Sequence, residues 1–313
     1  MQLCLMIEGQ EGVSWEQWLA IARACEAHGI ANLFRSDHYM NLDGAHPERG
    51  SLDAWGTLCA LAAATSTLRL GTLVSPATFR HPSELARLVV TADHVSGGRV
   101  ELGLGAGWHE REHTAHGFPF APMKTRMDVL EEQLQVVLGN WTGEPFSFSG
   151  EHYALEQLSA RPRPLQEGGI PLIMGGIAGP RGAALAARYA DEYNTVFPTV
   201  AEVRERRARV ADACERAGRE MLPFSVMTGV CVGADDRELA ERCARLEQRA
   251  GLDRGSLLDG PPPGWIVGTV ERAAQQLRAL GEAGVDRVMC QQLLHDDLDA
   301  IALLGERVAP LVA

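Results

Sequence analysis

The chain has 313 residues, 46% of them hydrophobic and 22% charged, the balance of a folded globular protein with material for a large core. Its 29 basic against 41 acidic residues leave a formal charge of −12, which argues against nucleic acid or an anionic membrane as the main partner. No apolar run approaches the roughly 20 residues that span a bilayer, and the seven cysteines lack CxxC spacing, so a cytoplasmic protein without a disulfide framework or zinc site is expected.

Leu3 to Ile7 forms a short apolar strand. Ser14, with Gln17 three residues on, makes a capping box for a helix from Trp15 to His28, closed by Gly29. Ala31 to Arg35 is a second strand ending in Ser36-Asp37-His38, followed by an irregular loop through Pro47 and Gly50 and a helix from Leu52 to Thr65. Leu68 to Val74 reads as a buried strand, Thr78 to His81 as a loop, Pro82 as the opening of a helix, and Val100 to Leu104 as the fourth strand. Trp108 to Pro122 reads as a loop carrying His109, Glu110, Glu112 and His113, with an amphipathic helix after it from Lys124 to Leu138.

Between Gly143 and Arg163 the β-then-α alternation breaks. Phe146, Phe148 and Tyr153 alternate with polar residues around Ser149-Gly150-Glu151, the pattern of an inserted β-hairpin. The alternation resumes with a strand from Ile170 to Met174, a glycine-rich loop from Gly175 to Pro180 and a helix from Arg181 to Ala190. Tyr193 to Phe197, Val200 to Ala217, Phe224 to Val232 and Asp235 to Ala250 add two more strand–helix units. Gly251 to Gly264, with three consecutive prolines, is a second excursion. A helix from Thr269 to Ala283, a strand from Val285 to Leu293 and a helix from Asp296 to Val312 close the chain. Eight such units predict an α/β fold, a (β/α)8 TIM barrel, over residues 1–313 as a single domain with insertions at about 143–165 and 251–264. Ligands of such barrels bind at the carboxyl ends of the strands.

Five segments together resemble a known family: Ala31 to His38 (ANLFRSDH), Leu68 to Pro82 (LRLGTLVSPATFRHP), Ser96 to His113 (SGGRVELGLGAGWHEREH), Pro171 to Asn194 and Gly268 to Asp297. They resemble the bacterial luciferase-like superfamily of TIM-barrel flavin and deazaflavin oxidoreductases, most closely its probable coenzyme F420-dependent branch. The resemblance implies coenzyme F420, a hydride passed between it and a small organic substrate, and a homodimer. The alternative within the superfamily is an FMN-dependent monooxygenase using reduced flavin and oxygen; a flavin-binding barrel without turnover is the reading from another class.

The site residues follow from strand ends and from this resemblance. His38 is the expected proton donor or acceptor, since an imidazole titrates near working pH, with Asp37 orienting it or touching the cofactor and Ser36 beside them. Leu73-Val74 corresponds to a family position where a non-prolyl cis peptide bulges against the cofactor ring. Gly103 to Gly107 has GxGxG spacing rather than the dinucleotide fingerprint, and Gly105, Ala106 and Gly107 are expected to let the cofactor lie on the strand backbone. Trp108 stands where deazaflavin dehydrogenases of sugar phosphates carry a glutamate, and it and His109 are expected at the cofactor. His109 to His113 (HEREH) superficially resembles a zincin motif, but its loop setting is wrong for one, so no metal is expected. Gly175, Gly176 and the helix N-terminus with Arg181 make an anion site that matches the family's phosphate site, to which Asn194 could add a hydrogen bond. Trp108, Trp55, Tyr39 and Phe79 are placed around an apolar substrate pocket.

Overall fold

The computed structural model describes residues 1–42, 44 and 46–313. In chain order the strands are β1 (Gln2–Ile7), β2 (Asn32–Arg35), β3 (Arg69–Thr72), the two-residue β4 (Ser75–Pro76), β5 (Val100–Gly105), β6 (Phe146–Ser149), β7 (Ala154–Leu158), β8 (Leu172–Gly175), β9 (Glu192–Val196), β10 (Phe224–Gly233), β11 (Ile266–Thr269) and β12 (Arg287–Gln291). Strands β1, β2, β3, β5, β8, β9, β10 and β12 pair in parallel in that order, and β12 closes on β1. The result is the expected closed eight-stranded (β/α)8 barrel.

The helices are α1 (Trp15–Ala27), α2 (Ala54–Ala64), α3 (Pro82–Ser96), α4 (Glu110–His116), α5 (Met123–Trp141), α6 (Pro180–Tyr189), α7 (Val200–Arg216), α8 (Asp236–Ala250), α9 (Ser256–Asp259), α10 (Val270–Glu282) and α11 (Leu298–Ala302). Local chemistry fixes several of their starts. Ser14 and Gln17 form the reciprocal capping box of α1, Thr199 and Glu202 that of α7, and Pro82 and Pro180 open α3 and α6, where a missing N–H costs nothing.

Period-two alternation splits the core. Leu3, Leu5 and Ile7 of β1 pack outward with Trp18 and Ile21 of α1, whereas Cys4 and Met6 point inward with Phe34, Ile173, Met227 and Met289. At the amino-terminal end of the barrel the interior turns ionic. Arg287 bridges Glu101 at 2.8 Å and Glu192 at 2.6 Å, and Glu101 also accepts from Arg69 at 2.8 Å and Asn32 at 3.0 Å. One end of the barrel is thus plugged by a charge network, leaving the carboxyl end for ligands.

Four local features differ from the sequence reading. The Trp108–Pro122 segment contains α4, invisible to periodicity because its buried face is Glu112 and His113 rather than apolar residues. The second excursion contains α9, whose start is pinned by Glu247: its carboxylate accepts from Gly255 N at 2.8 Å and Leu257 N at 2.9 Å. An extra strand, β11, extends the sheet beside the outer end of β10. The closing helix is not continuous: α11 passes into a π-type turn over Leu303–Val308 and a 3-10 turn over Ala309–Leu311. Pro310 cannot donate an α-helical hydrogen bond, and Gly305 lies so close to the His28 carbonyl that a Cβ there would sit 1.9 Å from its oxygen. The hairpin is antiparallel β6–β7, with Phe148 opposite Leu155.

Candidate active site

The carboxyl ends of β2, β5, β8 and β9, with α4 and α5, enclose a cavity of about 800 Å³. Of the residues expected at the site, Ser36, His38, Leu73, Val74, Gly105, Ala106, Gly107, Trp108, His109, Gly175, Gly176, Arg181 and Asn194 all line it. Asp37 does not.

Ser36, at the end of β2, accepts from Gly9 N at 2.9 Å and donates to Gln10 Oε1 at 2.5 Å, fixing the turn that presents His38. His38 Nδ1 lies 2.6 Å from Glu112 Oε2, and the other oxygen of Glu112 accepts from Tyr39 N at 2.5 Å and Met40 N at 3.3 Å. Glu112, fully buried on α4, therefore orients the ring that Asp37 was expected to orient. Asp37 faces away, accepting from Ser75 Oγ at 2.6 Å and from both Nη atoms of Arg80 at 2.6 and 3.1 Å. Its role is to hold β4 and the following loop against β2.

Electrostatics favour a charged pair. Burial pulls the His38 pKa down, but the hydrogen bond and charge of Glu112, with Glu8 and Asp37 further off, outweigh it and leave it raised. Burial pushes the Glu112 carboxyl up, but His38 and the two backbone donors outweigh it and leave it lowered. Both directions favour imidazolium facing carboxylate. With Nδ1 engaged by Glu112, Nε2 is the nitrogen His38 offers to the cavity.

The Leu73–Val74 peptide is cis, and Val74 accounts for the surrounding glycines. A Cβ on Gly105 would lie 2.8 Å from Val74 Cγ2, one on Gly175 3.1 Å from Cγ1, and one on Gly103 2.9 Å from Cγ1, where Thr72 O at 2.1 Å excludes it as well. The glycine run was expected to bring cofactor onto bare backbone; its immediate effect is to make room for Val74, which itself forms the cavity wall.

At Gly107 the chain turns through φ +76 and projects Trp108, which is 61% exposed, with its ring edge-on to His38 at 5.9 Å. The expected loop setting of HEREH is corrected here: His109 caps α4 and the rest lies on the helix. His113 also lines the cavity, its ring held by Thr78 Oγ1 at 2.6 Å and the His109 carbonyl at 2.8 Å. Burial holds the His109 pKa low. Among the described residues no group of three metal-ligating side chains converges.

The anion site after β8 also differs in detail. Gly176 N is taken by Asn194 O at 3.0 Å and Ala178 N by Tyr193 OH at 2.7 Å, so the donors left without an acceptor among the described residues are the backbone N–H groups of Ile177 and Gly179 in the loop and of Arg181 and Gly182 in the first turn of α6. The Arg181 guanidinium is itself paired, 2.7 Å from Asp128 and 2.9 Å from Glu131. Asn194 donates to Ser225 Oγ at 2.9 Å.

The apolar wall is only partly the one expected. Phe79 and Trp108 reach the cavity, but Trp55 is fully buried behind it against Ser75, and Tyr39 stacks on the far side of Phe79 at 5.4 Å. Met123, Met127, Met174, Ile177, Phe197 and Met227 supply much of the rest, and Glu8 adds a carboxylate. None of these carries a sequence motif.

The sequence profile of the luciferase-like monooxygenase family matches residues 4–287. This chain belongs to that family. The luciferase-like chain is 30% identical, over 93% of its own length and 90% of the relative's, to the F420-dependent glucose-6-phosphate dehydrogenase of Nakamurella multipartita. It is also 27% identical to the FMNH(2)-dependent dimethylsulfone monooxygenase of Pseudomonas putida, over 81% of this chain and 76% of that one. Among solved structures, an F420-dependent secondary alcohol dehydrogenase in complex with an F420–acetone adduct superposes with a TM-score of 0.84 at 21% identity, covering 100% of this chain and 99% of the other. That likeness carries the fold. No helix among the described residues is long and apolar enough to cross a membrane.

Proposed function

We propose that this luciferase-like protein is a coenzyme F420-dependent oxidoreductase acting on a small organic carbonyl or alcohol, with His38 as its proton donor and acceptor. The observation that carries the reading is the His38–Glu112 pair on the cavity wall, since hydride transfer to a carbonyl needs a proton delivered to the nascent alkoxide. The full-length likeness to an F420-dependent dehydrogenase supports the choice of cofactor.

The residues present fit a flavin-type group. Val74 lines the cavity with an apolar surface for a planar ring, and the first turn of α6 offers two unpaired N–H groups to a phosphate. When bound, the deazaflavin supplies a hydride donor or acceptor. Glu112 holds His38 as imidazolium with Nε2 toward the cavity, and Trp108, Phe79 and Phe197 keep water from the reacting atoms.

One observation favours the second reading, an FMN-dependent monooxygenase. At the phosphate edge Arg181 and Lys124 are offset by Asp128 and Glu131, a neutral surface that suits a cofactor ending at its phosphate better than one with an oligoglutamate tail. Fluorescence-quench titration of the apoprotein at physiological salt separates the two. F420 binding tighter than FMN is the expected result; the reverse order selects the monooxygenase, and binding of neither defeats both.

A further inference from the structure

Beside the large cavity lies a second one of about 260 Å³, which shares Glu8, Leu42 and Phe197 with it as a common wall. Its other walls include Arg49, Arg249, Gln291 and Leu293. Arg49 is satisfied by Glu11 at 2.7 Å. Arg249 is not: among the described residues it meets no carboxylate within ion-pair distance, and its Nη2 has only the Glu11 carbonyl at 2.8 Å and His295 Nδ1 at 3.2 Å. Its buried Nε lacks a partner and its Nη1 makes no hydrogen bond among the same residues. His295 cannot compensate. Burial, then Arg249 and Arg49, push its pKa down to about 3, so it is neutral.

A guanidinium on the wall of a pocket with Nη1 unused is poised for a charge-assisted hydrogen bond to an anion. Glu8 narrows the choice. Its carboxylate, held by the Gln10 and Gln291 amides at 2.8 Å each, faces the same space and opposes a dianion more than a monoanion. Leu42 and Phe197, which line both cavities, and Leu293 of the second are the apolar surface an aliphatic stem reaching from one to the other would lie against.

We infer that the second cavity is a substrate subsite, in which Arg249 holds the carboxylate of an organic acid whose reacting carbon lies in the larger cavity. The word substrate rests on the proposed function of the larger cavity; the binding of a carboxylate does not. The ligand class is a monocarboxylate with an aliphatic body, in contrast to a sugar phosphate.

Ligand-observed NMR on the full chain, without cofactor, tests this with hexanoate, hexanamide and hexyl phosphate as probes. Hexanoate is expected to bind wild type more tightly than hexanamide by about ten- to a hundredfold, the worth of hydrogen bonds to a charged group. Arg249→Met is expected to remove that advantage, Arg249→Lys to retain part of it, and neither to change hexanamide binding. Among the described residues Arg249 anchors no carboxylate, so the variants are expected to keep the fold, and the wild-type comparison decides even where a variant does not. Equal binding of hexanoate and hexanamide, no binding of hexanoate, or an unaffected Arg249→Met variant overturns the subsite; tighter binding of hexyl phosphate overturns its monoanion selectivity. Because the readout is cofactor-free, failure of F420 binding leaves this result standing, and loss of hexanoate preference leaves the cofactor titration untouched.

Discussion

His38→Ala is expected to lower kcat by about a hundred- to ten-thousandfold, the usual contribution of a positioned general acid or base, while cofactor affinity measured by titration stays unchanged. The asymmetry follows from position: His38 reaches the cavity through Nε2 but takes no part in the α6 turn or the Val74 wall. Glu112→Gln supplies the finer test. Glu112 raises the His38 pKa against the pull of burial, so in the direction of carbonyl reduction activity should be full at low pH and fall as pH rises through a value above the ordinary 6.5. Removing the carboxylate charge moves that fall to lower pH. A merely structural Glu112 would lower activity evenly across the profile instead, and an unaltered rate in His38→Ala would remove His38 from the chemistry.

Arg287→Met is expected to cost about 3–5 kcal/mol of unfolding free energy, the penalty for breaking a buried ion pair on one side. Among the described residues Arg287 alone bridges both Glu101 and Glu192. Burial pushes Glu101 up, but Arg287 and Arg69 outweigh it and leave it lowered, whereas burial prevails at Glu192 and leaves it raised. Without Arg287, Glu101 keeps Arg69 and Glu192 keeps no cation among the described residues. Adding Glu192→Gln should therefore recover part of the loss. Urea unfolding reads both effects; a cost below about 1 kcal/mol, the range of surface pairs, would mean that the network does not hold the barrel's closed end.

The barrel was legible because each strand is an apolar run bounded by turn or cap residues, and eight of them alternate with helical patterns. Ser14 with Gln17, Pro82 and Pro180 marked helix starts for reasons that stay local to the chain. Strand-end position and family resemblance together brought thirteen of the named site residues onto one cavity. What escaped depends on contacts distant in sequence. Glu112 is 74 residues from the histidine it orients, and a buried helical face made of Glu112 and His113 has no hydrophobic period to announce it. The positive-φ Gly117 that ends α4 was the one local signal. Asp37 was misassigned because adjacency in sequence stood in for contact; along an extended strand end neighbouring side chains point opposite ways, and Asp37 goes to Arg80. The charge on Arg181 was legible, its neutralisation by Asp128 and Glu131 was not.

The most direct test mixes wild-type protein with reduced F420 and a panel of ketones and aldehydes under strict exclusion of oxygen, following reoxidation of the deazaflavin by absorbance. Reoxidation that depends on the carbonyl compound and disappears in His38→Ala is the predicted result. Absence of any anaerobic turnover, together with oxygen-dependent consumption of reduced FMN, would contradict the deazaflavin assignment and place the chemistry with the monooxygenases.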